Sequence, residues 1–274
     1  MYKHSYALIT GASEGMGKHF AIECAVRGFN LVLVALPGSH LQHLSQFIAQ
    51  QYGVQVVAIE KDLSEEKSCY DLQQEVEERG ISIQVLINNA GLGGTYFFED
   101  KSPDYYSYVI RLNVTTPTLL CRLFLPQLRQ HKQSYILNIS SLASFFYLPR
   151  KQVYGGTKAY ILMFSKCLRK ELKGDGVSVS VLCPGGVNTN WKLTWQHRTT
   201  DNWLCRQSFM NPDAVAAIAI QKMLAGKEVI IPGWCNRSFQ LCNRIVPAYF
   251  KNLFIGWQMK KLRCFNGAPV VSTT

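Results

Sequence analysis

Seven short apolar runs, rich in β-branched residues, recur along the chain with helical stretches between them, and this alternation constrains the fold more than any other feature. The runs are Tyr6 to Thr10, Leu31 to Leu36, Val54 to Ile59, Ile83 to Asn88, Tyr135 to Ser140, Val177 to Cys183 and Glu228 to Ile231. Helical patterns fill the gaps near Gly15 to Arg27, His40 to Gln51, Glu65 to Glu78, Asp104 to Arg129, Gln152 to Lys173 and Pro212 to Ala225. Strands joined by helical crossovers pair in parallel, and runs with so few polar interruptions are buried on both faces. The expected fold is therefore α/β: a doubly wound, Rossmann-type, seven-stranded parallel sheet with helices on both faces. Residues 1–233 form the expected sheet domain and 234–274 a basic, amphipathic C-terminal extension.

Apolar residues make up 47% of the 274 and charged residues 17%, a composition that supports a large core and excludes extensive disorder. The first run starts too early to leave room for a secretory leader, so a cytoplasmic protein is expected. Nine cysteines occur without a CxxC pair, which reads as reduced packing residues. His40 and His43 have helical spacing but no third ligand nearby, so no metal site is expected.

The net charge is +11, yet from Val229 to Thr274 there is no Asp or Glu. Arg237, Arg244, Lys251, Lys260, Lys261 and Arg263 alternate there with Trp234, Phe239, Tyr249, Phe250, Phe254 and Trp257. This mixture suits peripheral contact with an anionic membrane surface, while Pro247 and Lys251 interrupt any spanning helix. Nucleic-acid binding is not expected, because the charge lies among apolar residues with no reading motif.

The chemistry-bearing residues cluster at the ends of the runs. After the first comes TGASEGMG, with Gly11, Ser13, Glu14, Gly15, Met16 and Gly17: a tight turn into a helix whose free N–H groups and dipole suit a pyrophosphate. Leu36 ends the second run. Asp62 and Leu63 of KDL follow the third, where a carboxylate can accept from an adenine amino group or cap a helix. After the fourth comes NNAG, with Asn88, Asn89, Ala90 and Gly91, small and amide-bearing residues suited to a cofactor wall. Tyr154 and Lys158 of YGGTK share a helix face, so the ammonium is expected to pull the phenol toward neutrality, and Ser141 stands thirteen residues upstream. A phenol acid-base group and a hydroxyl that binds a carbonyl oxygen are the working parts of a redox enzyme.

With Asn113 and PGGVNT added, these motifs arrive in the order and spacing of a short-chain dehydrogenase/reductase, a family the chain resembles from about Tyr6 to Gly233. The resemblance implies an NAD(P)-dependent oxidoreductase with Tyr154 as general acid-base and Ser141 orienting the carbonyl. Lys158 would bind the nicotinamide ribose, Asn113 would hold the water of a proton relay, and Pro184, Gly185, Val187 and Thr189 would border the nicotinamide. Where the family carries an acid for NAD or an arginine for NADP, this chain has Leu36 then Pro37. The missing acid favours NADP(H), with NAD(H) the alternative, and Ser13, Ser39 or His40 can donate to a 2′-phosphate.

Gly155 and Gly156 depart from the family's usual residues and soften the start of the catalytic helix. Phe145, Phe146, Tyr147 and Leu148, with an expected lid from Asn190 to Met210 carrying Trp191, Trp195, Arg198 and Trp203, imply an apolar pocket. A hydroxysteroid or similar lipophilic ketone is the expected substrate; a 3-oxoacyl thioester reductase or a non-catalytic nucleotide-binding sensor is the alternative. The long helices Asp104 to Arg129 and Gln152 to Lys173 are expected to support a homo-oligomer.

Overall fold

The structure, a computed structural model, describes residues 5–189 and 208–246, apart from the side chains at 244 and 245. Its sheet contains β1 (Tyr6–Thr10), β2 (Asn30–Ala35), β3 (Val56–Glu60), β4 (Ile83–Asn88), β5 (Ser134–Ile139), β6 (Val177–Leu182) and β7 (Val229–Ile230). All pairs are parallel, in the order β3-β2-β1-β4-β5-β6-β7. The strand order reverses between β1 and β4, and the crevice above their carboxyl ends is where such sheets bind ligands.

Eight α-helices are described: α1 (Gly15–Val26), α2 (Leu41–Tyr52), α3 (Glu66–Glu78), α4 (Pro103–Ile110), α5 (Thr116–Leu128), α6 (Gln152–Glu171), α7 (Pro212–Leu224) and α8 (Trp234–Ile245). Strand side chains alternate between two cores. Ala7, Ile9, Leu31 and Leu33 pack with Phe20 of α1, Ile48 of α2 and Ile220 of α7. On the opposite face Leu8, Val32, Val34 and Leu86 pack with Leu72 of α3, Phe124 of α5 and Leu168 of α6. Burial on both faces explains why the strands read as continuous apolar runs.

The helix expected over Asp104 to Arg129 is interrupted. Residues Arg111–Thr115 form a π-helical turn between α4 and α5. Pro117 has no N–H to give to the carbonyl of Asn113, and the Thr116 hydroxyl bonds instead to the Arg111 carbonyl at 3.1 Å. Hydrophobic periodicity survives an extra residue in one turn, so the sequence pattern alone reads as one helix.

α8 joins the domain rather than trailing from it. Cys235 and Asn236 are buried, Asn236 donates to the carbonyls of Pro232 and Ser208, and Asn243 donates to that of Phe145. Among the described residues no helix is long and apolar enough to cross a membrane, and no group of His, Cys, Asp and Glu could hold a metal. The tail beyond residue 246 and most of the expected lid, including its three tryptophans, lie outside the described residues.

Candidate active site

The NNAG segment is tied to the glycine turn at the crevice. Asn89 donates its side-chain amide to the carbonyls of Thr10 and Gly11 at 2.9 and 3.0 Å, and the Thr10 hydroxyl accepts from the backbone of Asn89 and Ala90. Asn88 turns the other way, donating to Asn138 of β5. A side chain at Gly17 would place its Cβ 1.9 Å from the Gly11 carbonyl oxygen, and one at Gly11, where φ is +63°, would meet Ala90 at 2.9 Å. Glycine is thus the residue that lets α1 begin directly against the end of β1. Gly15 faces the Thr189 side chain, so the far end of PGGVNT closes over the same turn. Glu14 caps α1 without a side-chain hydrogen bond, Ser13 precedes it in the turn, Met16 lies in the first turn of the helix, and Leu63 is buried.

This bed, lined by bare glycine and by the start of α1, fits a dinucleotide pyrophosphate. At its adenosine end Leu36 is half exposed, and the Ser39 hydroxyl is buried without a partner. His40 has φ +56° at the start of α2. Glu60, at the end of β3, accepts from the Gly38 N–H at 3.2 Å. Asp62 accepts from the Ser64 backbone at 2.9 Å, a local turn-forming use of the carboxylate.

On the other side of the crevice, the ends of β5 and α6 bring Ser141, Tyr154 and Lys158 together. Ser140 donates to the Lys158 carbonyl at 2.6 Å, fastening the catalytic helix to the strand. Ser141 accepts from the Ala143 backbone, and its hydroxyl is near enough to the Tyr154 phenol to favour the phenolate. The Lys158 ammonium is buried, donates to the Ile139 carbonyl at 2.9 Å, and lies 5.8 Å from the centre of the Tyr154 ring. A Cβ at Gly91 would stand 3.3 Å from that ammonium, so the bare glycine keeps the cation open to the cofactor bed. Pro184 accepts from Leu142, and Gly185 lies against the buried Asn236 side chain.

The electrostatics differ from the sequence expectation. Burial is the largest influence on Tyr154 and holds the phenol above its ordinary range despite the Ser141 bond. Lys158 spends its effect on the Ile139 carbonyl and is itself pushed down to about 8 by burial. A helix-face spacing puts the two residues together, but it does not say that one is aimed at the other's oxygen.

Asn113, expected to hold a relay water, has its side chain engaged within the fold. Its side chain is saturated by Leu92, whose N–H and carbonyl it bonds at 2.9 Å each, and by Thr157 at 3.1 Å. Its main-chain carbonyl lies in the π turn, where Pro117 has no N–H to give it. Thr10, Thr157 and Pro117 were not evident as site residues from the sequence, because each acts through another residue's backbone or amide.

Val187, which precedes the segment expected as a lid, pairs with Met210 at that segment's far end. The family model for short chain dehydrogenase matches residues 5–199. A duck protein described as very-long-chain 3-oxoacyl-CoA reductase is 34% identical over 190 residues, covering 68% of this chain and 60% of its own length. The human 17-beta-hydroxysteroid dehydrogenase type 3 is 32% identical over 190 residues, covering 67% of this chain and 59% of the human protein. Among solved structures, a short-chain dehydrogenase from Sphingobium yanoikuyae in complex with NADPH superposes with a TM-score of 0.74 at 26% identity over 98% of both chains. With its strand order, glycine turn and Ser-Tyr-Lys convergence matched by a family model over most of its length, the chain belongs to the short-chain dehydrogenase family.

Proposed function

We propose that the chain is an NADP(H)-dependent oxidoreductase interconverting a ketone and a secondary alcohol on a lipophilic substrate, a hydroxysteroid or a ketone of similar bulk. The observation that carries this is the convergence of Ser141, Tyr154 and Lys158 beside a bed that only glycine can line. When bound, the nicotinamide supplies or accepts the hydride. Ser141 binds the carbonyl oxygen and Tyr154 delivers its phenol proton to it, with the reverse transfer in alcohol oxidation. Lys158 holds the ribose hydroxyls and, through the Asn113 carbonyl and water, restores that proton. Asp62, Leu63, Asn89 and Ala90 flank the adenine half, and Pro184, Gly185, Val187 and Thr189 the nicotinamide half.

Leu36 in place of an acid and the unpartnered Ser39 hydroxyl support NADP(H). Glu60 beside the same loop keeps NAD(H) as the alternative. The duck relative favours a second substrate reading, a 3-oxoacyl thioester. The test is NADPH oxidation against steroid ketones and 3-oxoacyl thioesters. Tyr154→Phe should abolish turnover while fluorescence titration shows NADPH still bound. Undiminished turnover would refute the assignment, and binding without turnover by the native protein would favour a sensor.

A cytoplasmic protein that touches membranes peripherally is part of the same proposal. α8 exposes Trp234 and Leu241 beside Arg237, and the basic aromatic residues of 234–274 follow. Flotation with anionic liposomes should fall when 247–274 is removed; equal flotation would dismiss the idea. We also propose a homo-oligomer through α5 and α6, where Tyr160 and Met163 are exposed; a monomer in sedimentation would exclude it.

A further inference from the structure

Lys151, the N-cap residue of α6, stands three residues before Tyr154, and its role is not explained by the chemistry above. Its ammonium lies 5.4 Å from the centre of the Tyr154 ring and donates to the Gly94 carbonyl at 3.3 Å. Gly94 belongs to the segment that leaves β4 after NNAG, and the neighbouring Gly93 would put a Cβ 3.1 Å from the Tyr154 ring. Lys151 therefore sits in the wall facing the catalytic phenol. A lysine ammonium has three donors, and one carbonyl is the only partner it shows among the described residues.

Arg150 adds a second cation. Among the described residues it is one of two non-glycine residues with positive φ, at +66°, a conformation that persists only where the surroundings enforce it. Its carbonyl accepts from Tyr96, its guanidinium lies 4.6 Å over the Phe97 ring, and its Nε is buried with no hydrogen-bond partner. Among the described residues no carboxylate pairs with Arg150 or Lys151. Burial alone lowers the Lys151 ammonium below its ordinary range, with no acid offsetting it. A partly buried ammonium without an anion leaves a desolvation cost that a ligand anion would offset.

We propose that Lys151, backed by Arg150, is an anion subsite beside the catalytic tyrosine, and that the substrate carries a carboxylate or another oxyanion close to its reacting carbon. This rests on the oxidoreductase reading above and names its substrate class: an apolar ketone or alcohol with an acidic group near the reacting end. The anion seats on the ammonium and fixes which face of the carbonyl meets Tyr154.

The test uses a long-chain γ-keto acid and its methyl ester, with NADPH, each variant being compared by its acid-to-ester ratio of kcat/KM. The native protein should prefer the acid. Lys151→Met should lower that ratio by about 30-fold, mainly through KM, as expected for losing one charge-assisted bond. Lys151→Arg should retain most of the preference, and Arg150→Met should lose part of it. An unchanged ratio in Lys151→Met, or no preference in the native protein, overturns the proposal. If neither ketone is reduced, binding decides the question separately. Octanoate titrated into Tyr154→Phe with NADPH present should bind, and the added Lys151→Met change should weaken it by a similar factor. Equal binding to both proteins, or none, overturns the subsite even where neutral ketones are reduced.

Discussion

Replacing Lys158 by methionine should make the protein inactive and, near neutral pH, more stable. Lys158 is 6% exposed, and burial pushes its ammonium from 10.5 to about 8. At about 1.4 kcal/mol per unit, keeping it charged at pH 7 costs the fold about 3 kcal/mol. Methionine removes that cost but leaves the Ile139 carbonyl without its 2.9 Å donor, a penalty of about 1–3 kcal/mol. The net gain at pH 7 is therefore about 1 kcal/mol, or roughly 2–4 °C for a domain of this size.

The pH dependence is the sharper readout, because the orphaned carbonyl contributes equally at every pH. The folded-state pKa lies below the unfolded one, so the unfolded chain binds more protons between about 8 and 10.5. Native stability should rise with pH through that window, while the methionine variant lacks this contribution. From pH 7 to pH 10 the balance should move by about 2.5 kcal/mol toward the native protein, roughly 5–10 °C in the difference between melting temperatures, so that the variant's advantage reverses. The assay is thermal denaturation of both proteins without cofactor across that range, with NADPH turnover measured alongside. A melting difference that stays constant with pH would show that Lys158 titrates in the fold as it does in water, and the buried-cation reasoning would fail.

Gly17→Ala should cost about 3 kcal/mol or more, because its Cβ would stand 1.9 Å from a backbone oxygen that cannot retreat without breaking the Asn89 bonds; a melting temperature within about 1 °C of native would contradict this. Gly155→Ala should do the reverse, since nothing lies within 4 Å of the added carbon, and helix propensity alone gives a gain of about 1 kcal/mol. Loss of stability in calorimetry would mean the open space is used. Leu36→Asp should lower the NADPH-to-NADH ratio of kcat/KM at least about tenfold through repulsion of the 2′-phosphate. An unchanged ratio would move cofactor choice elsewhere, with Glu60 the next residue to vary.

The sequence by itself determined the alternation of strands and helices, because burial on both faces of a parallel sheet leaves apolar runs that can be read without coordinates. It also gave the glycine turn and the Tyr154–Lys158 pair, since a tight turn and a helix face are local properties carried by spacing. Strand ends moved by only a residue or two, as with β3, expected over Val54 to Ile59 and found at Val56–Glu60. What tertiary structure decided is where each functional group points. The π turn at Asn113 depends on Pro117 and Thr116 meeting the Arg111 carbonyl, which no hydrophobic period records. The saturation of the Asn113 amide by Leu92 and Thr157 joins three separate segments. Lys158 aims at Ile139 because Ser140 fixes α6 against β5, and the elevated phenol follows from burial by residues distant in the chain. Spacing fixes neighbours along one element; the direction of a donor and the dielectric around it are set only when the other elements close over it.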